Sequence, residues 1–230
     1  MKYTWQSIQN NHFLLMAQRA AFWKEQQILL IADPHFGKAA SFRSHGIAIP
    51  QGTTRYDLDR LADLICLHRP KQLLILGDLI HTARSKSRHV LHELQRWRQE
   101  FPDLNIRLIQ GNHDRGSGDP PMELKIDRIQ SKYRVGTITF SHQPCRRSNS
   151  YTIAGHVHPA VRLKGIGRRH ERFACFYFSP DYAILPAFGS FTGHHLIHPS
   201  IGDRVYIVAE EQIMPAPTGM ASHSKQEIKP

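Results

Sequence analysis

Five times along this chain a short apolar run stops at a residue able to hold a proton or a metal. Ile28-Leu29-Leu30-Ile31-Ala32 runs into Asp33-Pro34-His35, Leu73-Leu74-Ile75-Leu76 into Gly77-Asp78, and Ile106-Arg107-Leu108-Ile109 leads to Gly111-Asn112-His113-Asp114. Later, Phe140-Ser141 leads into His142, and Ile153-Ala154 into Gly155-His156-Val157-His158. Runs of this length and composition read as buried strands. Between the first two, Leu58, Leu61, Ala62 and Ile65 recur at helical spacing before Pro70, and between the second and third Val90, Leu94 and Trp97 do so before Pro102. Strand, helix, strand, helix, strand is the order of a largely parallel α/β sheet, and such sheets present ligand sites at the carboxyl ends of their strands.

The second half reads differently. Residues Thr137 to Ser141, Tyr151 to Ala154, Phe173 to Phe178, Ala183 to Leu185 and Val205 to Ala209 are strand-like with short gaps, which predicts a second, more antiparallel sheet. A chain of 230 residues without a Pro/Gly/Ser linker is expected to stack the two sheets in a single domain over 1–213. Met214 to Pro230 is polar, Pro-bearing and aperiodic, and is read as a disordered tail.

The residue types at the strand ends point to metal chemistry. Asp and His one residue apart project to the same side of an extended backbone, so Asp33 with His35, and His156 with His158, can converge. Carboxylate, amide and imidazole donors without thiolates suit Mn²⁺, Fe²⁺ or Zn²⁺ and argue against a structural zinc. Asp33, Asp78, Asn112, His35, His142, His156 and His158 exceed what one ion needs, whereas two ions sharing Asp78 use them all. Two cations about 3.5–4 Å apart clamp the attacking and leaving oxygens of an in-line displacement, which is phosphoryl chemistry. His113 remains as a donor to the leaving oxygen, with Asp114 beside it as an orienting carboxylate.

The order D-x-H, G-D, G-N-H-D, a lone His, then G-H-x-H resembles the calcineurin-like metallophosphoesterase superfamily, over Asp33 to His158. That resemblance implies a four-layer αββα sandwich and a di-metal centre. One ion would take Asp33, His35, Asp78 and His158, and the other Asp78, Asn112, His142 and His156, with His113 and Asp114 serving the leaving group. Asp33-Pro34-His35-Phe36-Gly37-Lys38, Leu76 to His81 and Leu185 to Gly193 further resemble the ligase-associated DNA damage-response endonuclease subfamily. This implies a Mn²⁺-dependent enzyme acting on phosphodiesters and DNA, grouped with a DNA ligase, a helicase and an exonuclease of a repair system.

Charge agrees with an anionic partner: 30 Lys and Arg stand against 19 Asp and Glu, a formal net charge of +11. Lys38, Arg43, Arg84, Lys86, Arg88, Arg115, Arg146 and Arg147 share the loops of the motifs, and Arg162, Lys164, Arg168, Arg169 and Arg172 follow the last of them. His81 is read either as a partner of a ligand or as a solvent-facing imidazole, and His194 and His195 lie on a loop able to return toward the metals. Cys66, Cys145 and Cys175 are too sparse for a disulfide framework, which fits a reducing cytoplasm. The run Phe13 to Ala17 is too short for a secretory core, and no stretch is long enough to span a bilayer. Two other functions compete with DNA hydrolysis: a phosphoesterase for small nucleotides or phosphomonoesters, and a catalytically silent scaffold on the same fold.

Overall fold

A computed structural model describes residues 1–145, 150–164 and 170–217, with the side chain of Lys164 left out. Two mixed β-sheets stack face to face. The first has the order β1 (Tyr3–Ile8), β2 (Asn11–Met16), β3 (Ala20–Trp23), β4 (Ile28–Ile31), β5 (Gln72–Ile75), β6 (Asn105–Ile109) and β7 (Ile126–Ile129). Strands β4 to β7 are parallel, as the strand–helix alternation requires, with α1 (Lys38–Ser44) and α2 (Thr53–His68) following β4 and α3 (Arg88–Glu100) following β5.

The continuous apolar runs have a simple cause. Each central strand of this sheet is buried on both faces, so alternate residues feed two different cores. Leu29, Ile31, Leu73, Ile75, Ile106 and Leu108 pack toward the helices, against Leu58, Leu61, Ile65, Val90, Leu94 and Trp97. Ile28, Leu30, Leu74, Leu76 and Ile109 face the second sheet, against Phe140, Ile153, Phe176 and Phe178. Helix α2 ends where Arg69 turns left-handed (φ 46°) ahead of Pro70, and the Ser87 hydroxyl caps α3 by accepting the Val90 N–H at 3.3 Å.

The amino-terminal ribbon departs from expectation. Residues Phe13 to Met16, read only as too short for a secretory core, form β2 in an antiparallel ribbon with β1, β3 and β4. Their burial alternates between the same two cores, Leu14 and Met16 on one side and Phe13 and Leu15 on the other. The tight β1–β2 turn places Gln9 and Asn10 at φ 49° and 61°, the geometry of a two-residue hairpin.

The second sheet contains β8 (Lys132–Val135), β9 (Ile138–Ser141), β10 (Tyr151–Ala154), β11 (Pro159–Lys164), β12 (His170–Phe178), β13 (Tyr182–Ile184), β14 (His195–Leu196), β15 (Arg204–Ala209) and β16 (Gln212–Pro215). It is mixed: β10 runs parallel to β9 and β13, while β12 pairs antiparallel with β11, β13 and β15. Its outer face is closed by Val161, Tyr177, Ile184, Val205, Ile207 and Ile197. The chain stays paired beyond residue 213, because β16 carries Met214 and Pro215 opposite Ile207 and Tyr206, so these first two positions of the expected tail are ordered strand. Positions 218–230 of that tail lie outside the described residues.

The segment Leu185 to Ser190 stitches the two sheets together. The Leu185 N–H bonds the Ala154 carbonyl at the end of β10, and the Phe188 N–H bonds the Ala32 carbonyl just past β4, at 2.8 and 2.7 Å. Buried Asp57 on α2 then accepts from the Ser190 N–H and hydroxyl and from Arg60. This seam lies where the strand-end motifs gather.

Candidate metal centre

Backbone geometry brings the motifs together, though not by strand alternation. Asp33, His35, Asp78, His156 and His158 all sit in the left-handed region, at φ 50°, 46°, 52°, 70° and 53°. The Asp33/His35 and His156/His158 pairs are thus turned inward by a reversed backbone rather than by extended chain. Such conformations cost on the order of 1–3 kcal/mol per residue and cluster at functional sites. The first two loops are locked to each other: the His35 and Phe36 N–H groups donate to the Asp78 and Leu79 carbonyls, each at 2.9 Å.

Among the described residues two acid–imidazole clusters result, Asp33/His35/His158 and Asp78/His142/His156, beside an all-imidazole group of His35, His81 and His113, each with its ligand atoms within 4.8 Å of one another. The two acid–imidazole clusters share a seam at Asp78, whose Oδ2 lies 3.7 Å from His35 Nε2 and 3.6 Å from His142 Nε2. His142 bonds the Leu76 carbonyl through Nδ1 (2.9 Å), so Nε2 presents a lone pair, and that lone pair faces Asn112 Oδ1 at 2.8 Å and His156 Nδ1 at 3.0 Å. Asp33 accepts the His156 N–H on Oδ2 at 2.7 Å. Its Oδ1 and His158 Nε2 are buried without a hydrogen-bond partner among the described residues.

Lone pairs pointed at one another and orphaned acceptors in a buried site are what a divalent cation satisfies, and the N/O donor set suits a first-row transition ion. Electrostatics agrees. Burial, and next the neighbouring His158, holds the His35 imidazole neutral far below its ordinary range, while burial and Asp33 push Asp78 up to about 6. All seven residues expected as ligands from the sequence converge here. Two glycines clear the space: Gly77 takes φ 86°, and a Cβ on Gly111 would stand 2.2 Å from Asp78 Oδ1.

His113 and Asp114 divide. His113 opens α4 (Asn112–Ser117) with its N–H on Asp78 Oδ1 at 2.9 Å and its ring Nδ1 2.9 Å from the His81 carbonyl, which leaves Nε2 available. The Asp114 carboxylate, expected to orient His113, is engaged elsewhere. It accepts the N–H groups of Asp78 (2.8 Å), Leu79 (2.9 Å) and Gly111 (2.8 Å), because adjacent helical residues project about 100° apart. Asp114 is therefore the clamp that holds the Asp78 loop. Asp114→Ala strands three buried donors, each worth about 1–3 kcal/mol, so a loss of at least about 3 kcal/mol in denaturant unfolding is expected. An unfolding midpoint equal to that of the wild type would remove the clamp role.

His81 joins the centre. Its ring stacks on His113 with centroids 4.8 Å apart, and its Nδ1 lies 3.4 Å from His35 Nδ1. Burial, then Lys38 and His113, lower it to about 4, so it stays neutral near neutrality. The position three residues past Asp78 was the available signal, but a loop histidine facing solvent looks the same in sequence. Lys38 is half-buried near Asp78, whose charge opposes the effect of burial on it. His195 is tied to the site by its N–H on the His158 carbonyl at 3.0 Å. A cleft of about 260 Å³ lined by Asn112, Arg115, Lys132, His142 and Gln143 opens beside the second cluster. Of the other basic residues, Arg43 and Lys86 are spent on the Pro50 and Asp119 carbonyls, and Arg84 on His45. Arg146, Arg147, Arg168 and Arg169 lie outside the described residues.

Two mixed sheets, flanking helices and paired acid–imidazole clusters at the strand ends define a metal-dependent phosphoesterase with a divalent di-metal centre. The chain belongs to the calcineurin-like phosphoesterase family, whose sequence profile matches residues 27–177. It is similar to the nuclease MPE of Pseudomonas putida, at 34% identity over 93% of this chain and 100% of that one, with a TM-score of 0.82. Yfce, a phosphoesterase from E. coli, aligns over 79% of this chain and 87% of its own at 12% identity and a TM-score of 0.36, too distant to carry weight. No curated protein matches the sequence. Among the described residues no helix is long and apolar enough to cross a membrane.

Proposed function

We propose that this protein is a Mn²⁺-dependent phosphodiesterase that cleaves DNA, with Asp33, His35, Asp78 and His158 holding one cation and Asp78, Asn112, His142 and His156 the other. The observation that carries this reading is the position of Asp78 Oδ2 between the two clusters, within 3.7 Å of an imidazole from each. A pair of divalent cations, when bound, supplies Lewis acidity toward the phosphoryl oxygens and a hydroxide nucleophile near neutral pH. The remaining chemistry belongs to the chain. His113, anchored through Nδ1, delivers a proton from Nε2 to the leaving oxygen. Lys38, beside Asp78, takes a non-bridging phosphate oxygen. His81 braces both His35 and His113.

The diester and DNA preference is supported by the basic balance of the chain and by its similarity to a nuclease. A repair setting alongside a DNA ligase, helicase and exonuclease follows from the subfamily motifs, and three free cysteines suit the cytoplasm. The test is metal analysis joined to a substrate panel. Two equivalents of transition metal, turnover of bis-p-nitrophenyl phosphate and nicking of DNA with added Mn²⁺ are expected. Preference for p-nitrophenyl phosphate without nicking would move the assignment to small phosphomonoesters, and no hydrolysis with any divalent ion would leave a scaffold.

A further inference from the structure

The register of β11 against β12 sets Arg162 directly opposite Arg172. Residues so paired lie side by side on one face with Cβ atoms about 5 Å apart, and like charges there repel. Both are exposed, and neither has a carboxylate or hydrogen-bond partner among the described residues. The acid of the hairpin, Glu171, pairs with Leu163 one position out of phase, so it stands on the opposite face. That opposite face is anchored: Val161 is buried and Leu163 and Phe173 pack beside it with Ile197, which fixes where the arginines stand.

The hairpin starts at the metal centre. Pro159 of β11 directly follows His158, and the rise of a strand puts Arg162 about 10 Å beyond Pro159. The chain beside it returns to the same place, since β14 pairs with β11 through Pro159 and His195. His194, just before β14, is half-buried; burial first, then Arg19, His158 and Arg172 hold its pKa below the ordinary range. A span of that length is bridged by a stretch of nucleotides and not by a single diester.

Building on the phosphodiesterase reading above, we propose that Arg162 and Arg172 form a subsite for a backbone phosphate of a polynucleotide whose scissile bond lies at the metal centre. The test is fluorescence anisotropy of a labelled single-stranded oligonucleotide against KCl concentration, comparing wild type with Arg162→Ser/Arg172→Ser. One neutralised phosphate accounts for about 0.7 in the slope of log K against log salt, so a fall of about 0.7 is expected, with weaker binding at every salt concentration. Arg162→Lys/Arg172→Lys should keep most of the slope. The serine variant should unfold at the same midpoint as wild type or higher, because a repelling pair has been removed. Lys24→Ser/Lys71→Ser, at the amino ends of β4 and β5 and so at the far end of the sheet, should leave the slope unchanged. An unchanged slope in the arginine variant, an equal fall in the lysine control, or no oligonucleotide binding by wild type would each overturn the subsite. Turnover of bis-p-nitrophenyl phosphate by wild type reports separately on the hydrolase: if it is absent while the slope still falls, the subsite stands and the catalytic reading goes.

Discussion

Asp78→Asn is expected to lower phosphodiester turnover by on the order of 10³-fold and to leave the purified protein with fewer than two equivalents of metal; loss of several kcal/mol of cation-derived stabilisation corresponds to such a factor. The near-isosteric amide is harmful because its orientation is not free. The His113 N–H donates to Oδ1 at 2.9 Å, so the amide oxygen must stay on that side. The NH₂ group then occupies the place of Oδ2, facing His35 Nε2 and His142 Nε2, where the proposed pair of cations would require an anionic oxygen and would be repelled by a donor. The Asp114 clamp on the Asp78 and Leu79 N–H groups does not depend on this side chain, so the fold should persist. Full metal content together with wild-type turnover in the variant would refute the bridging position.

His113→Ala should reduce kcat by about 10²–10⁴-fold while metal content stays at the wild-type value. The substitution keeps the backbone N–H that holds Asp78, and removes only the imidazole. Because a proton donor matters most when the leaving group is poor, the loss should be larger for DNA, which expels an alkoxide, than for bis-p-nitrophenyl phosphate, which expels a stable phenolate. Equal losses on both substrates would make His113 a positioning residue rather than a proton donor, and loss of metal would make it part of the ligand scaffold.

Some of the structure is legible in local patterns and some is not. The apolar runs of β4, β5 and β6 announce themselves because both faces of those strands are buried. The ribbon β1 to β3 does not, since a four-residue run such as Phe13 to Met16 is equally compatible with several elements until the sheet it joins is known. His113 and Asp114 look like an imidazole–carboxylate pair in sequence, and the helical turn that begins at Asn112 separates them. His81 could be weighed only once its ring was seen against His35 and His113.

The amino-acid sequence determined which groups stand at the strand ends, their chemical kinds and the sheet-and-helix order that delivers them, because burial patterns and donor types are properties of short segments. Tertiary structure alone decided how they act together. Left-handed turns at Asp33, His35, Asp78, His156 and His158 aim the donors inward, Asp78 falls at the seam of two clusters that each draw on both sheets, and Asp114 braces a loop 35 residues away. Those relations depend on chain segments far apart in sequence being packed to within a few ångströms, and no local pattern encodes such distances.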